Sequence, residues 1–292
     1  MKKNKMILVH LLCLFTSIVW GTTFISTKVL LENLHPMKIM LIRFTICYLL
    51  LWVVYPRIEK TKSWKDEALF AVTGFSGITL YYLFENMALM HTFASNASII
   101  ISVAPMFTVI FACFIYTNEK PGKNFFFGFA VAMAGIILVE LNGSLVMHMS
   151  PFGDFLALLA AATYGIYAIF YKKLSDRGYN CIAATRRTHF YGILFLLPFL
   201  WKEGYGMETE LLKQPVILGN LLYLGVIASA VCYLCWNYAI EVLGAVKTGV
   251  YIYILPAITM LTSALILKET MSWLGVVGCV VCIMGRVVSE KN

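Results

Sequence analysis

NMALMHTFASNASIIISVAP, residues 86–105, and NYAIEVLGAVKTGVYIYILP, residues 237–256, decide how the chain is built, because the second is a displaced copy of the first. Asn86 and Pro105 are 19 residues apart, as are Asn237 and Pro256. Glu119 and Glu269 follow those prolines at 14 and 13 residues, and each is followed at 9 and 16 residues by two glycines, Gly128 with Gly135 and Gly278 with Gly285. Upstream, Gly74, Tyr82, Leu83, Ala88, Ala94 and Ile101 recur 151 residues later as Gly225, Tyr233, Leu234, Ala239, Ala245 and Ile252. A second register, offset by 144, sets Trp20-Gly21, Lys28 and Arg43 against Tyr164-Gly165, Lys172 and Arg187. Such self-similarity means two versions of one module. The polar break from Asn142 to Pro151 divides them, giving modules 1–145 and 146–292.

The composition says what kind of module this is. Of 292 residues 60% are apolar and 13% charged, with a mean hydropathy of +0.80, whereas soluble domains carry about 25% charged residues. The chain is an all-α membrane protein. A span takes ~20 mostly apolar residues, so ten fit, joined by short loops. They are expected at Met6–Thr27, Pro36–Val54, Ala68–Met90, Ala94–Tyr116 and Asn124–Leu141, then at Phe152–Tyr171, Cys181–Trp201, Val216–Ile240, Ala245–Leu267 and Met271–Val288. Lys2, Lys3 and Lys5 ahead of an apolar run resemble the start of a secretory signal, but the run continues without a small-residue cleavage site and reads as a retained first helix.

Ten spans put both termini on one side. With the N-terminus in the cytoplasm, all but six of the 23 Lys and Arg fall on the cytoplasmic face, the exceptions being Lys28, Lys38, Arg43, Lys202, Lys213 and Lys268. That bias places the termini inside the cell, in the inner membrane. Five spans per module, an odd number, make the second enter the membrane opposite to the first, and an inverted-topology repeat of this kind is the architecture of many secondary transporters. The net charge of +8 is scattered over loops, which argues against a nucleic-acid partner.

Pro105 and Pro256 fall near the middle of matched spans. Each removes a backbone bond, so the carbonyls of Ile101 and Ile252 are expected to be freed at mid-depth. Freed backbone is tolerated there only against protein or a wet cavity, so the prolines mark either a central cavity or two packing kinks. Trp20, Thr23 and Thr27 share one helix face and match Tyr164, Tyr167 and Tyr171. Ser98 and Ser102 share another, opposite Gly249 and Tyr253, while Tyr82, Glu85 and Asn86 match Tyr233, Trp236 and Asn237. Together they suggest a substrate-binding pocket with aromatic walls, although hydroxyls also serve helix packing and Tyr and Trp also anchor at interfaces.

Glu85 is the most unusual residue within a span. A carboxylate there binds a substrate amine, takes up a proton as the coupling ion, or reaches water, since it stands about five positions from its helix end. Arg43 and Arg187 are matched near span ends, where long side chains snorkel, and suit a structural or gating ion pair. Glu119 and Glu269 suit helix-end capping, and the paired glycines close helix contact.

Enzyme signatures are weak. Cys232 with Cys235 and Cys279 with Cys282 have metal-like spacing but lie inside apolar helices, the five histidines are dispersed, and there is no Gly-rich phosphate loop. Neither a cofactor nor a metal is expected, and the chain is not read as an enzyme.

Trp20 to Phe24 with Lys28, Pro36 and Arg43, followed by the doubled Asn, Pro, Glu and Gly pattern, resembles the EamA-type branch of the drug/metabolite transporter superfamily over almost the whole chain. The second half departs in having Tyr164 for the Trp and Asn180 where Pro36 stands. The resemblance implies ten helices in two inverted five-helix repeats, a central cavity, and alternating access that exports amino acids or related small metabolites. The first helix has no acidic residue, unlike the small multidrug antiporters that use one there. Rival readings are a drug or nucleotide-sugar carrier and, outside transport, a lipid-modifying membrane enzyme or a non-catalytic subunit.

Overall fold

A computed structural model of the chain describes residues 2–115, 122–141, 150–203, 209–266 and 272–290. Glu119 and Glu269 lie outside the described residues, as do the boundary at 145/146 and the expected span limits Tyr116, Leu267 and Met271.

Every regular element among the described residues is helical. Seven helices are long and apolar enough to cross a membrane: Asn4–Leu31, Pro36–Val54, Trp64–His91, Ala97–Ile115, Pro151–Asp176, Pro215–Leu243 and Ala245–Ile266. Lys123–Leu138 and Trp273–Ser289 are apolar but shorter. Cys181–Glu203, with Arg186, Arg187 and His189 in its first turns, is a further long helix. Phe114, Leu265, Val53 and Trp273 are each at least 73% exposed, an apolar outer surface suited to lipid.

Local chemistry sets the helix starts. Pro36 occupies the first turn, where its missing N–H costs nothing, and His35 Nδ1 accepts from the Met37 amide at 3.4 Å. Ser63 Oγ accepts from the Asp66 amide at 3.3 Å, with Asp66 and Glu67 against the positive helix end. That helix therefore begins at Trp64, ahead of the expected Ala68. Gly244 connects Leu243 to Ala245 at φ +88°, a conformation that favours glycine.

The two prolines act differently. Ahead of Pro105 the helix breaks into Ala94–Ile101 and Ala104–Ile115. Ahead of Pro256 the chain tightens into a 3-10 stretch, Val250–Ile254, and the Ile252 carbonyl accepts the Leu255 N–H. The expectation of a freed carbonyl is thus wrong at Ile252, because the tighter turn supplies a donor. Two π-helical stretches, Phe75–Leu80 and Tyr223–Val231, lie in matched helices; the sequence spacing did not announce them.

Glycines fix the closest packing. A Cβ on Gly135 would stand 2.5 Å from the Cys282 amide nitrogen, and one on Gly285 would stand 2.4 Å from that of Ala132. Lys123–Leu141 and Trp273–Glu290 therefore meet backbone to backbone, as the seven-residue glycine spacing led one to expect.

Candidate functional site

The interior of the bundle holds a small pocket built from several helices. Trp20, Thr23 and Phe24 line one wall, Tyr81, Tyr82 and Glu85 another, and Tyr164, Tyr233, Ile101, Ile252 and Leu255 complete it. The free volume between them is about 20 Å³, room for about one water. Aromatic side chains fill the rest. The Trp20 ring lies 5.6 Å from Tyr233 and 4.8 Å from Trp236, and its Nε1 donates to the Ala228 carbonyl at 2.9 Å. Tyr233 donates to the Tyr82 hydroxyl at 3.2 Å. Burying such rings with their polar tips bonded makes a firm, low-entropy wall.

Glu85 is 6% exposed, and its carboxylate takes no hydrogen bond from the described residues; the charge acting on it is that of Arg43. Tyr82 and Glu85 are one turn apart on the same helix face, so phenol and carboxylate look into the same space. Uncompensated, a carboxylate so buried would be costly.

Arg43 differs from its expected place at a span end. It is 1% exposed, its guanidinium lies 4.4 Å from the Tyr82 ring centroid and 5.2 Å from that of Phe44, and Nε donates to Ser229 Oγ at 3.2 Å. Seven residues in from Pro36, the side chain turns inward and stacks on aromatic faces, as guanidinium groups do, instead of snorkelling.

The other expected pocket residues surround this space without lining it. Trp236 donates to the Tyr164 hydroxyl at 2.7 Å. Tyr167 donates to Asn237 Oδ1 at 2.5 Å, and Asn237 Nδ2 donates to Thr185 Oγ1 at 2.9 Å. Ser102 Oγ gives its proton to the Ser98 carbonyl at 2.7 Å; among the residues that do line the pocket, Thr23 does the same to the Trp20 carbonyl at 2.7 Å. Asn86 and the Tyr253 hydroxyl are buried with no partner among the described residues. Phe24, Ile101, Ile252 and Leu255 were missed as lining residues; being apolar, they gave no polar signal to find them by.

A second cavity, of about 210 Å³, opens where Trp64 and Cys181 begin their helices, with Glu59, Glu67, Arg186 and Arg187 set among Tyr48, Trp52, Phe70 and Phe190. Its charges are spent on one another and on the backbone. Arg187 grips the Glu67 carboxylate with Nε at 2.9 Å and Nη2 at 2.6 Å, and Nη1 donates to the Glu59 carbonyl at 2.8 Å. Arg186 donates to the carbonyls of Tyr55 and Arg57 and lies 3.9 Å from the Trp52 ring. Alongside, Asp66 pairs with Arg177 and accepts from Tyr179 at 2.5 Å. Arg187 is thus an ion-pair residue at a helix start, whereas Arg43 is an interior one.

A multi-pass helical membrane bundle closed around a buried aromatic pocket that holds one carboxylate is the class these observations define. The chain belongs to the EamA-like transporter family, which it matches twice, over residues 7–141 and 151–289. It is 28% identical over 280 residues to an uncharacterised transporter of Archaeoglobus fulgidus, covering 94% of this chain and 95% of that one. It is 26% identical over 279 residues to a probable terminal-alkyne amino-acid exporter of Streptantibioticus cattleyicolor, covering 95% and 91%. A solved crystal structure shares the fold at a TM-score of 0.74 and 15% identity, covering 96% of this chain and 95% of that one.

Proposed function

We propose that the protein is a secondary transporter that exports a small metabolite, such as an amino acid or a related amphipathic compound, by alternating access. The carrying observation is the pocket itself: a buried carboxylate, Glu85, inside an aromatic cage to which residues before and after the 145/146 boundary contribute side chains. A cage shared in that way changes shape when one half rocks against the other. The double family match supports two modules, 1–145 and 146–292, arranged as inverted five-helix repeats with ten spans. The basic bias of the loops supports cytoplasmic termini in the inner membrane. The relative described as an amino-acid exporter supports the substrate class.

Within this scheme Glu85 binds the solute or carries a coupling proton, and Glu67 with Arg187 holds one end of the bundle shut. The purified full chain in liposomes, given a broad metabolite panel with and without an imposed proton gradient, should show saturable flux of at least one small solute. Absence of saturable flux for every solute would overturn the reading. Saturable flux confined to lipophilic drugs or to nucleotide sugars would replace the metabolite with one of those classes.

A further inference from the structure

The wide cavity where Trp64–His91 and Cys181–Glu203 begin has no part in the pocket around Glu85: among the described residues the two share no lining side chain. Its walls show which way it faces. Phe190 is exposed and starts an outward stripe with Leu194 and Leu197, at intervals of four and three along its helix. Tyr48 and Trp52 stand beside a second outward stripe, Leu49 and Val53. The Tyr48 ring lies 6.2 Å from that of Phe190 and 6.4 Å from that of Trp52. The cavity therefore opens in a groove between two lipid-facing helix surfaces, at a span end, the level at which Tyr and Trp meet the polar edge of a bilayer.

The charge inside it comes from two arginines in different states. Arg187 is neutralised by Glu67. Arg186, 6% exposed, makes no ion pair among the described residues: each Nη donates to a backbone carbonyl, of Tyr55 and of Arg57, and the guanidinium lies on the Trp52 ring. Its Nε–H and the second N–H of each Nη have no partner among the described residues. A cation so placed lacks a counter-charge that would repay its burial. Glu59, the other acid of the cavity, is already engaged, accepting from the Tyr55 hydroxyl at 3.0 Å and from the Asn180 amide at 3.3 Å. Within residues 57–65 four cations, Arg57, Lys60, Lys62 and Lys65, stand against that single acid, so the water-side rim is positive as well.

We propose that this cavity binds the headgroup of an anionic glycerophospholipid. The phosphate oxygens take the unused N–H groups of Arg186, the rings of Tyr48, Trp52 and Phe190 receive the top of the acyl chains, and the basic connector covers the headgroup from the water side. The planar guanidinium fork matches phosphate oxygens, and basic recesses between spans on the cytoplasmic side are where anionic headgroups lodge. A free phosphate would use the same donors but gains nothing from the apolar mouth, which favours the lipid. The free volume, about 210 Å³ against about 20 Å³ in the central pocket, is open without moving a side chain. This end of the bundle is the one that the orientation proposed above puts in the cytoplasm; the binding depends neither on the carrier reading nor on its solute.

The test is native mass spectrometry of the detergent-purified full chain with phosphatidylglycerol, with phosphatidylcholine of the same acyl chains, and with glycerol 3-phosphate, which presents the phosphate without the chains. Phosphatidylglycerol should bind at least about tenfold more tightly than either of the others, in keeping with charge-assisted hydrogen bonds made in a recess. Arg186→Gln should bring it down to the level of phosphatidylcholine. Lys173→Gln, a basic residue that does not line the cavity, should leave it close to the unaltered value; an equal loss in both variants would mean a general attraction to basic loops and overturn the site. Because Arg186 also holds the connector, the unaltered protein carries a second readout. Phosphatidylglycerol with a photoreactive group at the top of an acyl chain should label residues 48–58 and 183–190 above the rest of the chain. Labelling spread evenly over the spans, or glycerol 3-phosphate bound as tightly as the lipid, overturns the proposal. A chain that moves no solute in liposomes yet takes phosphatidylglycerol at this place would lose the carrier reading and keep the lipid site.

Discussion

Tyr167 donates its hydroxyl proton to Asn237 Oδ1 at 2.5 Å, fully inside the protein. Asn86, 151 residues before Asn237 in the matched stretch, is equally buried and has neither amide atom bonded among the described residues. The 144-residue register accounts for the difference. Thr23 and Leu41 stand where Tyr167 and Thr185 do; Thr23 spends its hydroxyl on the Trp20 carbonyl, and Leu41 has nothing to give.

Two substitutions of the same kind should therefore behave oppositely. Asn237→Leu strands the Tyr167 hydroxyl, while Thr185 keeps the Cys181 carbonyl and the Tyr171 hydroxyl as partners, and it should cost about 1–3 kcal/mol of stability. Asn86→Leu removes an amide that has no partner among the described residues and should be neutral or stabilising. Thermal unfolding of the two variants in one detergent measures both, and equal losses would contradict the hydrogen-bond assignment.

The grip of Arg187 on Glu67 is half in the open, each side chain being 30% exposed. Its contribution should be modest, about 1 kcal/mol or less in a double-mutant cycle of Glu67→Gln with Arg187→Gln, and smaller at high salt. A coupling unaffected by salt would mean that the pair is shielded from water.

Gly285 faces the Ala132 backbone with no room for a side chain. Gly285→Val should separate the two helices and sharply reduce the monodisperse yield on size exclusion, since overpacking a tight contact typically costs about 1–3 kcal/mol or more. Gly219, with nothing within 4 Å of a built Cβ, is the matched control, and Gly219→Ala should express normally.

Glu85→Gln keeps the shape of the pocket and removes its negative charge. Flux should fall at least about tenfold or lose its dependence on pH, in keeping with the cost of losing a charged partner in a buried site. Glu119→Gln, at a position read as a helix cap, should stay close to the unaltered rate. Unchanged flux in Glu85→Gln would remove this carboxylate from both binding and coupling.

Much of this was legible in the residues. The displaced copy located the helices, and helical spacing picked Trp20, Thr23, Tyr82, Glu85, Tyr164 and Tyr233, which do line the pocket. The same spacing also brought in Ser98, Ser102, Tyr167, Trp236, Asn237 and Tyr253, which pack around it. Spacing gives the face of a helix but not its rotation against neighbours, and the π-helical turns at Phe75–Leu80 and Tyr223–Val231 change that rotation part way along. Arg43 was misplaced for another reason: distance from a helix end says how far a side chain must reach for water, but not whether aromatic faces nearby offer it a better place. The ion pair of Arg187 with Glu67 needed the fold, because 120 residues separate the partners.

The pocket that closes on about one water also bears on the cell's energy supply. Protons cross proteins along unbroken files of hydrogen-bonded water, and the Trp20, Tyr82 and Tyr233 rings leave no room for such a file in this pocket. For the carrier proposed above, a copy in this shape should pass no protons through the pocket, so that many idle molecules could sit in the bilayer without short-circuiting its electrochemical gradient.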